Sequence, residues 1–384
     1  MLELLKNCVK YSDKFLVCIT LALSVYSLLL VGSVSREGFN YFTVQSISIC
    51  IGLIGAFFLQ LINYRIVSKA SVWIGIGCIL LIIYTLFAGI AIEGSSGVNA
   101  KAWIKLPGSI TFQPSELVKI GFIITFSKHL TFLKKNNKTD DIKSLLLLAC
   151  HAMVPVVLTH LQGDDGAAII FLCIAVTQAF MTGIKLRYFL FSATLASLMM
   201  PVAWNFILAD YQKQRILSQM NPEADPLNMG YQQIQGKLSI GSGGLFGTGL
   251  FQGPRVANNV VPIQESDFIF SVAGEELGFV GCILILLLLL ALIVEVGHIA
   301  RKSNDLNGSL ICFGFIGLVA SQTIFNLGMC LSLLPVMGVT LPFFSVGGSS
   351  AACLYLGVGI IQSIYLYRDE TRKELLTDSE MIMQ

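Results

Sequence analysis

The sequence predicts an all-α polytopic membrane protein, on three observations. Charged residues make up only 12% of the chain and hydrophobic residues 55%, with a mean hydropathy of +0.76. Soluble domains carry about 25% charged residues, so a water-facing surface cannot be built here. Apolar runs long enough to cross a bilayer alternate with short polar connections, and lipid requires such runs to be helices because it offers the backbone no hydrogen-bond partner. Finally, Lys and Arg concentrate in every second connection.

Ten spans follow from that pattern, at 15–34, 43–63, 71–92, 114–132, 144–161, 166–183, 188–208, 268–298, 308–331 and 347–367. The whole chain, 1–384, reads as one membrane domain. The first span follows Asp13-Lys14 and is too long, with no small-residue cleavage site after it, for a removed signal peptide. Pro114 suits the first turn of the fourth. The sixth is short and starts from Gly166. The eighth is the longest, running through Leu284–Leu290, and is expected to tilt or to expose part of its first turn.

Orientation follows from the basic residues. Lys6, Lys10, Lys14, Arg65, Lys69, Lys128, Lys134, Lys135, Lys138 and Lys143 fall on one side, with Lys185, Arg187, Arg301, Lys302, Arg368, Arg372 and Lys373. Those are 17 of the 25 Lys and Arg. Both termini and the tail 368–384 are therefore expected in the cytoplasm. The opposite, extracytoplasmic side is mildly acidic: Glu37, Glu93, Glu116, Asp164, Asp165, Asp210, Glu223, Asp225, Glu265, Asp267, Glu275 and Glu276 outnumber its bases. It also carries two long connections, 93–113 and 209–267. The second is too long to be structureless in a compact protein, and is expected to be ordered and functional. The ten Cys fall mostly in apolar runs without CxxC and read as small buried hydrophobes. His129, His151, His160 and His298 are scattered and suggest no metal site or triad.

Several polar segments could carry chemistry. Asp267 sits where the long loop meets the eighth span, and helical spacing would place Asp267, Ser271 and Glu275 on one face with Glu276 beside it. Three carboxylates at one helix start need water, a cation or a partner; the plain reading is a capping Asp with two interfacial acids. Glu116 and Lys119, three apart, can neutralise each other across the first turn of the fourth span, or Lys119 can meet Glu275 or a phosphate. Gln162-Gly163-Asp164-Asp165-Gly166 is either a cation site or a solvated turn. The Gly-rich run 240–249, including Ser242, Gly243 and Gly244, is no Walker loop; it allows close approach of a lipid phosphate or another helix, with Lys237 just before it as an anion partner. Leu341–Ser350 reads as helix packing.

Together these segments resemble one family, the SEDS proteins of shape, elongation, division and sporulation. The matching blocks, in family order, are Lys101–Ile104, Gln113–Lys119, Gln162–Gly166, Gln235–Gly244, Asp267–Gly281, Asn326–Met329 and Leu341–Ser350. The resemblance implies a peptidoglycan glycosyltransferase that polymerises lipid II outside the cytoplasmic membrane beside a class B penicillin-binding protein. It places the family's essential loop acid on Asp267, and its other acid and lysine of interest on Glu116 and Lys119. Departures are Lys101-Ala102-Trp103 where a basic pair usually precedes the Trp, Asp165 as an added acid, Glu265-Ser266 before the Asp, and Val346 where an aromatic is usual.

The expected chemistry is a single inverting displacement with Asp267 as general base. Glu116, Lys119, Glu275 and Glu276 would support the site. Lys101, Trp103, Asp164, Arg215, Lys237, Ser242, Gly243 and Gly244 would bind substrate. No cofactor is certain, but the acidic face makes a Mg²⁺ or Mn²⁺ bridge reasonable; membrane lipids surround the protein and no nucleic-acid partner is expected. The competing classes are a lipid-linked precursor flippase, which would want polar groups through mid-membrane, and a scaffold that only positions a synthase. Within the family, Leu245–Gln252 is closer to the elongation type, while Gly230-Tyr231-Gln232 is more like the division or sporulation types.

Overall fold

A computed structural model describes residues 10–35, 41–91, 100–105, 111–220 and 229–368. Arg36, Glu37, Glu93, Glu223, Asp225 and the tail beyond Arg368 lie outside the described residues.

The chain is a helical bundle. Its long helices are α1 (Lys14–Val34), α2 (Tyr41–Leu61), α4 (Ser71–Ala88), α5 (Pro114–Lys135), α6 (Ile142–Leu161), α7 (Asp165–Thr182), α8 (Leu186–Val202), α12 (Ile269–Lys302), α13 (Leu306–Cys330) and α14 (Gly348–Leu366). These coincide with the ten expected spans to within a few residues. A one-turn-scale α3 (Tyr64–Lys69) links α2 to α4. Nine of the ten long helices are apolar and long enough to cross a membrane. The exception is α5, whose mean hydropathy is lowered by Glu116, Lys119, Lys128, Lys134 and Lys135, yet most of its face is buried inside the bundle.

Caps mark several boundaries as the side-chain chemistry dictates. Asp13, Asp141, Asp164 and Asp305 each accept a backbone N–H at the start of α1, α6, α7 and α13. The most buried span is α14, which packs on α2, α5, α12 and α13. Gly359 lets it approach α2 so closely that a Cβ would lie 2.6 Å from Ala56 Cα. Around this centre, Trp73, Phe87, Phe191 and Phe206 point outward. α8 buries none of its residues, as befits a helix solvated by lipid tails.

The bundle interior is not purely apolar: Gln178 on α7 donates to the carbonyls of Ile123 and Leu310, at 3.0 and 2.9 Å, and Asn307 bonds Ser68 and Ser127. These are neutral groups, affordable in the interior because backbone or hydroxyl partners receive them. Two expectations need correction, those on the cysteines and on the eighth span. Cys18, Cys50 and Cys150 are exposed on outward faces, whereas Cys282, Cys312, Cys330 and Cys353 are buried. The eighth span neither tilts as one rod nor exposes its first turn: from Ile269 to Glu276 it is buried almost completely, and at Gly278 (φ 65°, ψ −160°) it breaks.

The connections assemble at one end of the bundle. The first holds a small antiparallel pair, β1 (Ile104–Lys105) with β2 (Thr111–Phe112), in an otherwise helical chain. The long loop is ordered over α9 (Asp210–Met220), α10 (Met229–Ser242) and α11 (Pro254–Ala257). Gln219 and Gln233 donate to the carbonyls of Leu333 and Leu334, tying α9 and α10 to the connection between α13 and α14.

Candidate functional site

Asp267 lies in the turn before α12, not on the helix. The capping position belongs to Phe268, which makes no side-chain cap bond, so Asp267 is no helix cap. Its side chain is 4% exposed, and Oδ1 accepts a hydrogen bond from Ser266 Oγ at 3.0 Å. Burial pushes the carboxyl up from 3.8 to about 6. The Ser266 bond and Arg215 pull the other way, while Glu265 and Asp164 add to the rise. A buried carboxyl held this far up, with so few donors, can change protonation near neutral pH.

Asp164, the first neighbour, caps α7. Its Oδ1 accepts from Ala167 N at 2.9 Å, and Oδ2 from Gln113 Nε2 at 2.8 Å and Ser115 Oγ at 3.5 Å. It keeps some surface exposure but is densely surrounded, and burial raises its carboxyl. The Ala167 amide and Lys119 oppose that rise, and Glu116 reinforces it. Behind it, on the first turns of α5, Lys119 Nζ and Glu116 Oε1 form a 2.8 Å ion pair in which both side chains are buried. Asp267, Asp164, Glu116, Lys119 and Arg215 thus form one electrostatically linked group contributed by the α12 approach, α7, α5 and α9.

The second acid of the turn does something else. Asp165 binds His160 Nδ1 at 2.6 Å and Gln212 Nε2 at 2.6 Å. Gln212 lies on α9, so this carboxylate docks the helix that carries Arg215. The acid pair is neither a cation cage nor a solvated turn: one member caps a helix and the other anchors one.

Glu275 and Glu276 do not join Asp267 or Lys119. Both are fully buried. Glu275 Oε1 accepts from the amides of Arg255 and Val256 at 2.7 and 3.4 Å, and Glu276 Oε1 from Ser33 Oγ and the Gly253 amide. They hold the start of α11 and α1 instead of lining the site. The shared-face expectation fails because Asp267 lies outside the helix, so helical spacing does not apply to it.

The Gly-rich run meets another helix. At the Gly278 break, Thr248 and Gly249 amides donate to the carbonyls of Glu275 and Glu276, both at 3.0 Å. The Phe279 and Val280 amides donate to the carbonyls of Gly244 and Leu245, at 2.9 and 3.1 Å. The loop thus supplies partners to two carbonyls before the break and two amides after it, as backbone in a membrane protein demands. A Cβ at Gly243 would lie 2.0 Å from the Gly274 carbonyl, which explains that glycine. Ser242 bonds Ser239 O, and Lys237 is exposed on α10. Lys101 is exposed, and Trp103 pairs with Ile90 after α4.

Residues that the sequence did not single out also belong here. Gln113 and Ser115 bind Asp164, and their place beside Glu116 in one short motif is the signal that could have found them. Arg255 donates through Nε to Ser239 Oγ at 2.9 Å and through a terminal nitrogen to Gln235, bracing α11 against α10. Away from this site, thirteen residues along α5 from Glu116, His129 meets His151 of α6 with Nδ1 atoms 3.1 Å apart. Among the described residues no group of three or more His, Cys, Asp or Glu converges on a point.

The FtsW, RodA and SpoVE family of cell cycle proteins matches residues 11–370. The chain is 31% identical over 363 residues to peptidoglycan glycosyltransferase MrdB of Escherichia coli strain K12, covering 94% of this chain and 96% of that protein. It is 32% identical over 374 residues to the probable peptidoglycan glycosyltransferase FtsW of Geobacter metallireducens, covering 94% and 96%. Among solved structures it is similar to a chain described under structural coordination of polymerization and crosslinking by a peptidoglycan synthase complex. The TM-score there is 0.80 at 29% identity, over 93% of this chain and 98% of that one. With its apolar spans and this match along almost its entire length, the chain belongs to the FtsW, RodA and SpoVE family, the SEDS family, as a multi-pass bacterial membrane protein.

Proposed function

We propose that the chain is a peptidoglycan glycosyltransferase that joins lipid II units on the extracytoplasmic face of the membrane, with Asp267 as general base. The observation that carries this reading is the Asp267 carboxyl, buried with the Ser266 hydroxyl on it, held at about 6, and linked to Asp164 and Arg215. In the reaction the acceptor hydroxyl gives its proton to Asp267 as its oxygen attacks the anomeric carbon. The bond from that carbon to the pyrophosphate breaks, and the leaving group takes the electron pair with inversion from α to β. A base poised near the working pH is suited to this transfer. The departing pyrophosphate needs positive charge. Arg215 is the first candidate, because it already acts on Asp267; Lys119 lies deeper and is neutralised by Glu116.

The acids of the site gather at the loop-rich end, while the polar side chains deeper in the bundle are amides and hydroxyls bonded to backbone or to each other, together with the His129–His151 pair between α5 and α6. That distribution favours transfer at a surface over transport through the membrane. The similarity to a chain from a synthase complex supports a class B penicillin-binding protein as partner. The Leu245–Gln252 pattern supports an elongation role, against the division-like Gly230-Tyr231-Gln232 and a similarity to relatives with division names that is just as great. Depletion should give rounded cells; filaments of unperturbed width would move it to division. For the chemistry, Asp267→Asn in proteoliposomes supplied with lipid II should make no glycan while still folding and binding its partner. Near-wild-type polymerisation would sink the base assignment.

A further inference from the structure

The turn that presents Asp267 is held through three consecutive carbonyls by two neighbouring segments, the end of α13, whose Cys330 Sγ also lies 3.6 Å from the Asp267 carbonyl, and the connection before α14. The carbonyls of Glu265, Ser266 and Asp267 accept, in order, from Val346 N at 2.8 Å, Ser345 Oγ at 2.5 Å and Asn326 Nδ2 at 2.8 Å. Asn326 is fully buried near the end of α13, and the same nitrogen also donates to Val339 O at 2.8 Å. It thereby clasps the Asp267 turn to the connection between α13 and α14. Ser345 is likewise buried, and its oxygen accepts the Leu341 amide at 2.7 Å, which orients its hydroxyl proton toward Ser266 O.

The turn and the connection each carry a strained residue within three residues of these bonds. Ile263 has φ 57° and Phe343 has φ 68°, a left-handed backbone that side chains of this bulk rarely adopt. Such strain persists only where the surroundings over-determine the conformation. Three donors on three successive carbonyls provide that over-determination. They also leave the Asp267 side chain free of any bond from the clasp, so only its backbone is fixed.

We infer that Asn326 and Ser345 are positioning residues, which fix the strained 263–268 turn through its carbonyls and so aim the Asp267 carboxylate. The inference rests on the reading of Asp267 as the base. Neither residue touches the reacting atoms. Misplacing a reacting group by about 1 Å can cost about 10²-fold in rate.

The test uses the full chain in proteoliposomes with lipid II, measuring kcat, KM and melting for Asn326→Ala, Ser345→Ala, Ser345→Thr and the Asn326→Ala/Ser345→Ala double variant. Each Ala variant should lose about 10- to 100-fold in kcat, with KM within about 3-fold of wild type. Ser345→Thr keeps the hydroxyl and should recover activity to within about 3-fold. The double variant should be much less than multiplicatively worse, because both residues act on one turn. Wild-type kcat in both Ala variants would overturn the inference. So would a Ser345→Thr loss equal to that of Ser345→Ala, or losses that merely follow melting. Activity in Asp267→Asn would instead overturn the base reading itself, and the two failures are thus separable.

Discussion

Two sets of carboxylates lie close together in one stretch of chain and meet opposite fates. Asp267, in the turn before α12, has one neighbouring hydroxyl on its oxygens and a proton affinity shifted toward neutrality. Glu275 and Glu276, inside α12, are more deeply buried but each spends one oxygen on backbone amides of the loop around α11. The difference teaches that burial alone does not make a reactive acid. What counts is whether the surrounding donors are committed to the carboxylate or to the backbone that carries it. Around Glu275 and Glu276 the side chains hold the main chain; around Asp267 the donors grip the main chain and leave the carboxylate available.

Variants can break or sharpen that contrast. The largest stability effect should come from the ion pair on α5. Lys119→Met or Glu116→Gln alone strands a buried charge or its partner and should destabilise by about 3–5 kcal/mol. The double variant should melt near wild type yet make no polymer, because Asp164, which acts on Asp267, loses its charged neighbours; an active double variant would show the pair to be purely structural. Gly278→Ala should cost about 1–3 kcal/mol from backbone strain, and more through the clash of its Cβ with Gly247 N at 2.4 Å. Melting in detergent checks both. Glu275→Ala should cost about 1–3 kcal/mol by leaving the Arg255 and Val256 amides unbonded. Glu275→Gln should cost less, since its amide oxygen still accepts. Hydrogen exchange at 253–256 would report the difference directly. Smallest of all, Lys237→Ala on an exposed face should shift stability by less than about 0.5 kcal/mol and act only by raising KM for lipid II.

Much of this architecture was legible in the residues. Long apolar runs between polar connections marked where the long helices lie, because lipid leaves few alternatives to a helix of that length. Glu116 and Lys119 pair as their spacing implied. The break at Gly278 was hidden because apolar residues continue on both sides, and hydropathy does not register which backbone bonds are missing. Its signal lay in two glycine-bearing segments, 243–249 and 274–281, whose partnership is non-local. The sequence marked Asp165 as an addition beside Asp164, yet only the fold shows that one faces Gln113 and the other Gln212. The roles of Asn326 and Ser345 were similarly invisible, since each acts on a backbone carbonyl distant in sequence.

The most direct test of the central claim is the pH dependence of the wild-type chain beside Asp267→Asn. Burial raises the Asp267 pKa from 3.8 to about 6, so the folded state prefers the proton. Stability contributed by the neutral carboxyl is therefore present at acid pH and lost as pH rises through about 6. Activity runs the other way, because a base must be ionised to accept the acceptor's proton. The account predicts that kcat/KM for lipid II falls away below a pH of about 6. It also predicts that Asp267→Asn is inactive at every pH while melting higher than wild type at neutral pH. An acid limb in the ordinary carboxylate range near 3.8, or polymer made by Asp267→Asn, would contradict it.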